Sequence, residues 1–249
     1  MSLSYLTGFK KIDENSAFGF DLRYFNMGDI QLTDGRGNDV GEFNPRDISI
    51  GGTYSRKLSQ NFGLGISARF IYSNLSGNIS SSGGNEARAG IGVGADIGLY
   101  YQRPTLIGSK EGTWAWGVSI SYIGPNITYH SAEDLDYIPT NLRVGTSYSI
   151  FFNPDNKITF SLDLNKLMVP TPPVYATNQD GTLATDENGK LIIESGNDPN
   201  RPLISGMFGS FADAPGGFEE EMREFTISFG AESPTRRDPP LYSSIDHRQ

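Results

Sequence analysis

Bulky apolar side chains alternate with small or polar ones along most of this chain. A repeat of two residues is typical of β-strands whose two faces meet different surroundings, whereas helices repeat every 3.6 residues. In Thr113–Ile123 the bulky positions are Trp114, Trp116, Val118, Ile120 and Tyr122. The pattern predicts about nine strands and no convincing helix, with the strands at Ser2–Leu6, Ala17–Phe25, Asp47–Leu58, Phe62–Ser73, Arg88–Tyr101, Thr113–Ile123, Thr140–Phe151, Lys157–Leu167 and Arg223–Glu232.

The connections between these strands alternate between short and long. Tight turns are predicted at Ser59–Asn61 and Asn153–Asn156, and Gln102–Gly112 is a shorter connection than its neighbours. Long loops are predicted at Asn26–Arg46, Asn74–Ala87, Pro125–Pro139 and Val169–Met222. An up-and-down sheet with turns at one rim and loops at the other gives this rhythm. Outer-membrane barrels show it, and Greek-key sandwiches have no reason to keep it.

The two faces of the predicted strands differ in kind. One face is bulky and almost uncharged over at least six strands, whereas the other is mostly Gly and Ser with scattered charges, namely Asp21, Arg23, Arg69, Arg88, Asp96, Arg143 and Asp163. In water, so large an apolar surface needs a second layer, and no helix is predicted to supply one. Lipid is the simpler cover, because a closed barrel pairs its backbone groups between strands. Aromatic residues near strand ends fit a membrane interface: Trp114, Trp116, Tyr100, Tyr101, Tyr24 and Tyr72.

We therefore expect an all-β fold, an antiparallel up-and-down transmembrane β-barrel in the cell outer membrane. Outer-membrane lipid and lipopolysaccharide are its expected surroundings. The chain has 249 residues, a formal net charge of −9 and a pI near 4.7, which argues against a nucleic-acid partner. There is no Cys, and the only His residues are His130 and His247. We find no catalytic constellation, and we expect no enzyme activity, no cofactor and no metal.

Two loop segments resemble ion sites in part. Positions three, five, six and twelve of a calcium loop are filled suitably, by Asn178, Asp180, Gly181 and Glu187. Position one is Ala176 and no flanking helices are predicted, so we favour a hairpin that turns at Glu187–Lys190. The acidic runs Glu133–Asp136 and Glu219–Glu221 could hold a divalent ion, or bridge lipopolysaccharide through one, although such runs are more often solvated loop faces.

The loop Val169–Met222 is the most informative segment outside the strands. It contains six prolines, which exclude a mostly extended sheet strand, and an apolar stretch at Leu203–Phe211. A loop of this length with its own apolar cluster is functional or disordered. We expect either a docking surface for another protein or an apolar ligand, or a loop that folds over the barrel mouth and packs on itself. The candidate docking residues are Leu203, Ile204, Met207, Phe208 and Phe211.

Four segments of the chain resemble a known family: Tyr54–Ser59, Phe70–Leu75, Gly117–Tyr129 and Ile138–Gly145. They resemble the PorV family, also called LptO, which are outer-membrane proteins of the type IX secretion system of Bacteroidota and are related to FadL-type barrels. The turn Ile123–Asn126 and the strand entry Ile138–Gly145 occur in the expected order and spacing. The resemblance covers most of residues 1–232.

The resemblance implies a fourteen-stranded barrel that associates with the large translocon of that system. It also implies that the protein receives secreted cargo through the cargo's C-terminal signal domain and hands it to the cell-surface attachment machinery. Such a protein is not an enzyme. No residue-level functional motif carries over, so the long loops are the only zone in which the resemblance places binding.

Nine strands are fewer than the fourteen that the resemblance implies, and single-chain bacterial barrels have an even number. We therefore expect a truncated piece, with a partial barrel over residues 1–232, an extracellular loop at 169–222 and an irregular tail at 233–249. Met1 opens almost directly into a strand, with no signal peptide. Two other classes stay open: a FadL-like transporter of fatty acids or other hydrophobic compounds, and a soluble β-sandwich or lectin-like binding module.

Overall fold

A computed structural model describes residues 1–75, 89–127, 137–153 and 156–233. In chain order the elements are β1 (Ser2–Lys11), β2 (Ser16–Asn26), β3 (Ile30–Thr33), β4 (Asp39–Phe43), β5 (Arg46–Lys57), β6 (Phe62–Asn74), β7 (Gly90–Ile107), β8 (Lys110–Ile123), β9 (Asn141–Asn153), β10 (Asn156–Leu167), β11 (Val174–Tyr175), β12 (Ile193–Ser195), α1 (Leu203–Gly209), α2 (Phe218–Arg223) and β13 (Phe225–Glu232). No helix in this part of the chain is long and apolar enough to cross a membrane.

Nine of the strands form one antiparallel sheet in the order β1-β2-β5-β6-β7-β8-β9-β10-β13. Each strand pairs with its neighbour along the chain, apart from the small hairpin β3–β4 and the pair β11–β12, which lie inside long connections. The connections alternate, so that one end of the sheet, the turn end, carries the short ones and the other, the loop end, the long ones. The predicted nine-stranded antiparallel up-and-down sheet is confirmed. The sheet is open, with β1 and β13 at its edges.

The strand register sorts the side chains into two faces. On the bulky face, Leu22, Ile50, Phe70 and Val93 form one row across four strands. On the other side, the small-residue face, the next row is Asp21, Gly51, Arg69 and Gly94. The bulky face is left open, with Ile50 53%, Phe70 44% and Phe229 73% exposed. Outside the loop end around β10 and β13, no second sheet or helix layer covers it in the described ranges, so the second layer that a β-sandwich requires is not there.

One bulge reverses a side chain that the alternation places on the bulky face. The register of β7 and β8 shifts between Ala95 and Ile97, and Tyr122 takes a left-handed backbone conformation with φ of 60°. Such a bulge twists the strand and turns the following side chain to the other face. Tyr122 therefore lies on the small-residue face. Tyr100, predicted as an interfacial aromatic, lies on that face as well, in register with Gly63 and Gly117.

Several element boundaries differ from the sequence-based prediction. β1 continues to Lys11, and β7 and β8 continue to a turn at Gly108–Ser109 where a connection from Gln102 to Gly112 is predicted. Bulky and small side chains do not clearly alternate in these added residues, so only their backbone pairing with the neighbouring strand defines them as strand. The helices α1 and α2 were not predicted either, because they have seven and six residues and no side-chain N-cap. Residues 154–155 of the Asn153–Asn156 turn, most of the loops Asn74–Ala87 and Pro125–Pro139, and the tail after Ser233 lie outside the described residues.

Candidate functional site

A buried cation joins three strands on the small-residue face. Arg69 of β6 contacts Asp21 of β2 at 3.2 Å and Asp96 of β7 at 2.9 Å, and its side chain is only 6% exposed. Gly51 of β5 stands between Asp21 and Arg69 in the ladder, and a Cβ atom there would collide with the Asp21 carboxylate. The missing side chain thus lets an ion pair form across an intervening strand.

Tyr122 extends this cluster to a fourth strand. The Tyr122 backbone N–H donates to Asp96 at 2.8 Å, and its hydroxyl accepts a hydrogen bond from Arg23 at 3.0 Å. The guanidinium carbon of Arg69 lies 5.0 Å from the centre of the Tyr122 ring, a cation–π distance. That these charged residues share one face was predicted from the sequence. The contribution of Tyr122 was not, because nothing in the alternation of Thr113–Ile123 signals the bulge.

Two residues of the β8–β9 connection, Ile127 and Ile138, also lie against the small-residue face. Ile127 and Ile138 are 7% and 3% exposed. A Cβ atom on Gly92 of β7 would lie 2.8 Å from the Ile127 Cδ1 atom and 3.5 Å from the Ile138 Cδ1 atom. The glycine stripe of β7 therefore accepts two isoleucine side chains as a small apolar core. Both isoleucines belong to the segments that carry the family resemblance.

Hydrogen bonds connect this core to the long segment, defined here as residues 168–224. The Thr140 hydroxyl donates to the Tyr122 carbonyl at 2.8 Å, and the Met168 N–H donates to the Thr140 carbonyl at 2.7 Å. Thr140 and Met168 are both 2% exposed. Farther along, the Tyr137 hydroxyl donates to the Pro199 carbonyl. The long segment is thus attached to the β8–β9 connection as well as to its own strands.

A second buried cation holds the long segment to the sheet. Lys166 lies on the bulky face of β10, at the loop end, and is 1% exposed. Its ammonium group donates to Glu221 of α2 and to Glu224, both at 2.6 Å. Thr171 donates its hydroxyl to Glu224 at 2.9 Å. The long segment therefore covers the loop end of the bulky face around β10 and β13, and supplies the carboxylates that make a buried lysine tolerable there.

The candidate docking residues divide into a buried and an exposed set. Met207 is 4% exposed, Leu203 is half-buried, and the half-buried ring of Phe211 lies 6.3 Å from that of Phe225. Ile204 and Phe208 are 57% and 62% exposed, and their spacing of four residues places them on one face of α1. Helix α2 presents a similar pair that sequence reasoning missed, Phe218 at 80% and Met222 at 50% exposure. Two apolar residues in a six-residue helix are too few to give a helical pattern in the sequence.

The partial calcium-loop sequence forms hairpins. Bridges pair Thr177 with Leu183 and Thr185 with Leu191, and the Asp186 N–H donates to the Lys190 carbonyl at 2.8 Å, so the predicted hairpin is confirmed. The Asp180 carboxylate accepts hydrogen bonds from the Thr182 hydroxyl and backbone N–H, which lower the pKa of Asp180 below its ordinary value.

The acidic run at the start of α2 is already engaged in local contacts. Glu219 pairs with Arg223, Glu220 accepts a hydrogen bond from the Gly216 N–H, and Glu221 pairs with Lys166. Among the described residues, no three His or carboxylate side chains are placed to hold a metal ion. His130 and the acidic run Glu133–Asp136 lie outside the described residues.

Comparison with known proteins gives one finding. The family model described as type IX secretion system protein PorV matches residues 1–174. No curated protein matches the chain. The matched range contains β1–β10, the charge cluster around Arg69 and the isoleucine core, and it ends at Val174, near the start of the long segment.

Proposed function

Because the chain belongs to the PorV family of type IX secretion system proteins, we propose that it forms an outer-membrane barrel wall that receives secreted cargo at the translocon of that system. Membership of the family implies an outer-membrane secretion component. The finer role that we propose is the binding of cargo C-terminal signal domains and their delivery to the surface attachment machinery. This role needs binding surfaces and no catalytic group.

The observation that carries the membrane placement is the open bulky face. Between its two ends, this face carries no charged residue on any of the nine strands as described. Along β6 it runs from Phe62 to Tyr72, which is about 33 Å at about 3.3 Å per residue. A strand tilt of about 35–45° reduces this to about 23–27 Å across the membrane, close to the apolar band of about 25 Å in outer-membrane barrels. Lipid is the cover that fits both the chemistry and the height of the face.

We place partner docking on the exposed face of α1, at Ile204 and Phe208. These side chains project from a helix whose opposite side is fixed by buried Met207 and by Ser210, which is fully buried. A partner therefore meets an apolar pair that is already ordered, which lowers the entropy cost of binding. The long segment lies at the loop end, which faces the cell exterior in outer-membrane barrels, so the pair is accessible to proteins that leave the translocon.

Purified partners test this role. The full chain is immobilised in detergent, and binding of the translocon and of a cargo C-terminal domain is measured for the wild type and for Ile204→Ser/Phe208→Ser. We expect the double variant to bind at least tenfold more weakly. The matched control is Leu183→Ser/Ile192→Ser, which removes exposed apolar side chains from the hairpins of the same segment (51% and 43% exposed). Equal binding by wild type and double variant contradicts α1 docking, and no binding by the wild type contradicts the cargo role.

A FadL-like role in carrying hydrophobic molecules is the second candidate, and one feature favours it. Leu3, Tyr5 and Phe9 of β1 lie on the small-residue face and are 68%, 57% and 79% exposed. They form an apolar strip on a face that is otherwise polar. Binding of a radiolabelled fatty acid to the full chain in vesicles, lost in Leu3→Ser/Phe9→Ser, would favour this role over cargo transfer.

A further inference from the structure

We propose that the turn end of the sheet binds the phosphate headgroups of anionic phospholipids. This inference rests on the proposed membrane placement. The turn end is where β1–β2, β5–β6, β7–β8 and β9–β10 are joined, and in outer-membrane barrels this rim meets the phospholipid leaflet on the periplasmic side.

Four cations project from the bulky face at the turn end. The register places Lys10 beside Phe18, Arg56 beside Leu64 and Arg103 beside Trp114. Lys110 pairs with Ile107, two bulky-face rows closer to the hairpin turn than Arg103. Glu111 and Glu232 are the acidic residues of β8 and β13 that lie nearest to this rim. Their positions alternate with those of the bulky face, so both side chains lie on the small-residue face. In the described ranges none of the four cations forms an ion pair with a carboxylate. The β1–β2 turn at this rim also carries Asp13 and Glu14, and a backbone N–H together with the charge of Arg56 lowers the pKa of Asp13 below its ordinary value. On the bulky face itself, the described charged side chains at the rim are all cations.

Aromatic rings hold two of these cations at the edge of the apolar face. The Arg103 guanidinium carbon lies 5.1 Å from the centre of the Trp114 ring, and the Lys110 ammonium nitrogen lies 3.8 Å from that of Phe152. Trp114 is itself fixed, because its indole N–H donates to the Thr146 hydroxyl at 2.9 Å. A cation over a ring face keeps its N–H donors free for another acceptor. Trp beside Arg or Lys is the composition of a membrane–water interface.

Further aromatic rings lie beside these cations and form an aromatic belt on the bulky face. Tyr101 stacks on Trp116 with centroids 5.7 Å apart, and it meets Trp114 edge to face at 6.4 Å. Trp114 lies in the same row as Arg103, and Tyr101 and Trp116 share the next row of the bulky face towards the middle of the sheet. From the middle of the sheet outward, the order is therefore apolar side chains, aromatic rings and cations. Hydrocarbon, interface and phosphate follow one another in the same order in a phospholipid leaflet.

The opposite end of the molecule has the opposite charge. The long segment carries ten Asp and Glu against three Lys and Arg. Lys166, the buried cation on the bulky face there, is already paired with Glu221 and Glu224. Phosphate groups are therefore attracted to the turn end and repelled from the loop end. This polarity favours phospholipid phosphates over the phosphates of the outer leaflet, and the position beside the aromatic belt favours a lipid over a soluble acidic protein.

Lipid retention tests the proposal. The full chain is reconstituted in vesicles of phosphatidylcholine mixed with phosphatidylglycerol, extracted with mild detergent, and its co-purifying lipids are counted by mass spectrometry. We expect phosphatidylglycerol to be enriched on the wild type and the enrichment to fall about tenfold in Arg103→Gln/Lys110→Gln. Arg103→Lys, which keeps the charge, should retain the enrichment. The matched control Lys190→Gln/Arg223→Gln removes two cations from the loop end and should leave it unchanged.

The outcomes separate this inference from the function on which it rests. Equal enrichment in the wild type and in Arg103→Gln/Lys110→Gln overturns the headgroup site while leaving the membrane placement intact. Binding of an acidic protein that is lost in the double variant, with lipid retention unchanged, also overturns it. A wild-type chain that fails to insert into either lipid mixture contradicts the membrane placement itself.

Discussion

Two buried cations, each held by two carboxylates, organise different regions of this molecule. Arg69 lies in the middle of the small-residue face and pairs with Asp21 and Asp96 on strands of the same sheet. Lys166 lies at the loop end of the bulky face and pairs with Glu221 and Glu224, which belong to the long segment. The ion pairs of Arg69 join strands whose positions are already fixed by the backbone hydrogen bonds of the sheet. The second is what docks a separate segment onto the sheet.

This difference shows how the sheet and its long segment are stabilised separately. Around Arg69, loss of the cation leaves two carboxylates facing each other inside a framework that cannot open locally. Around Lys166, the carboxylates can move away into water with the segment that carries them. We therefore expect damage at Arg69 to weaken the whole sheet, and damage at Lys166 to release the long segment first.

Removing Arg69 should have the largest effect. Arg69→Met keeps much of the side-chain volume but leaves Asp21 and Asp96 without a counter-charge, and breaking a buried pair in this way costs about 3–5 kcal/mol. Urea unfolding of the full chain in lipid vesicles, followed by tryptophan fluorescence, measures the loss. Arg143→Met, on the same face but exposed and without an ion pair in the described ranges, is the control and should change the midpoint little.

Removing Lys166 should act locally. Lys166→Met leaves Glu221 buried without a counter-charge, so we expect a loss of about 2–4 kcal/mol that appears as undocking of the long segment. Limited proteolysis should cut residues 169–224 many times faster than in the wild type, while the sheet remains intact. Lys190→Met, which removes an exposed lysine from the same segment, should not change the cleavage rate. An unchanged rate in Lys166→Met would show that other contacts dock the segment.

A methyl group at Gly51 should disturb the ion pairs of Arg69 and leave those of Lys166 unchanged. Gly51→Ala places a Cβ atom against the Asp21 carboxylate and pushes it from Arg69, at an expected cost of about 1–3 kcal/mol. Gly65→Ala is the matched control, because the nearest atom to its new Cβ is 3.9 Å away. Unfolding midpoints should fall for the first variant only, and protease sensitivity of the long segment should be unchanged in both. Equal midpoints for the two variants would mean that the sheet tolerates displacement of Asp21.

An exposed ion pair in the long segment should contribute least. Lys190 donates to Asp198 at 2.7 Å and lowers the pKa of Asp198 below its ordinary value of 3.8, with help from the Asn200 N–H. Because the folded pKa is depressed, this contribution is present above about pH 4 and is lost as the pH falls through the folded pKa. Lys190→Gln should raise the pKa of Asp198 in a carboxyl NMR titration, without a measurable change in stability at pH 7. A constant pKa would assign the shift to the backbone donor alone.

The same contrast explains what the sequence could predict. The nine strands, their up-and-down order and the placing of charges on the small-residue face follow from a repeat of two residues and the alternating connections, and the family resemblance covers the same strands. The position of Tyr122 on the small-residue face depends on a bulge. The docking of the long segment depends on contacts between Lys166 and two carboxylates that lie 55 and 58 positions away. Neither has a local signature. The sequence predicts helix α1 only as an apolar stretch. Tertiary packing buries Met207 and leaves Phe208 exposed, and the periodicity of the sequence does not show this difference.

Site-directed spin labelling tests most directly whether the bulky face meets hydrocarbon. The chain has no native cysteine, so single substitutions on adjacent positions of β6 and β10, Ile66→Cys with Ser67→Cys and Leu162→Cys with Ser161→Cys, report on the two faces separately. In vesicles, labels at Ile66 and Leu162 should be relaxed by oxygen, which concentrates in lipid, and labels at the serines by a water-soluble nickel complex. The same relaxation by the nickel complex at all four positions would contradict the account.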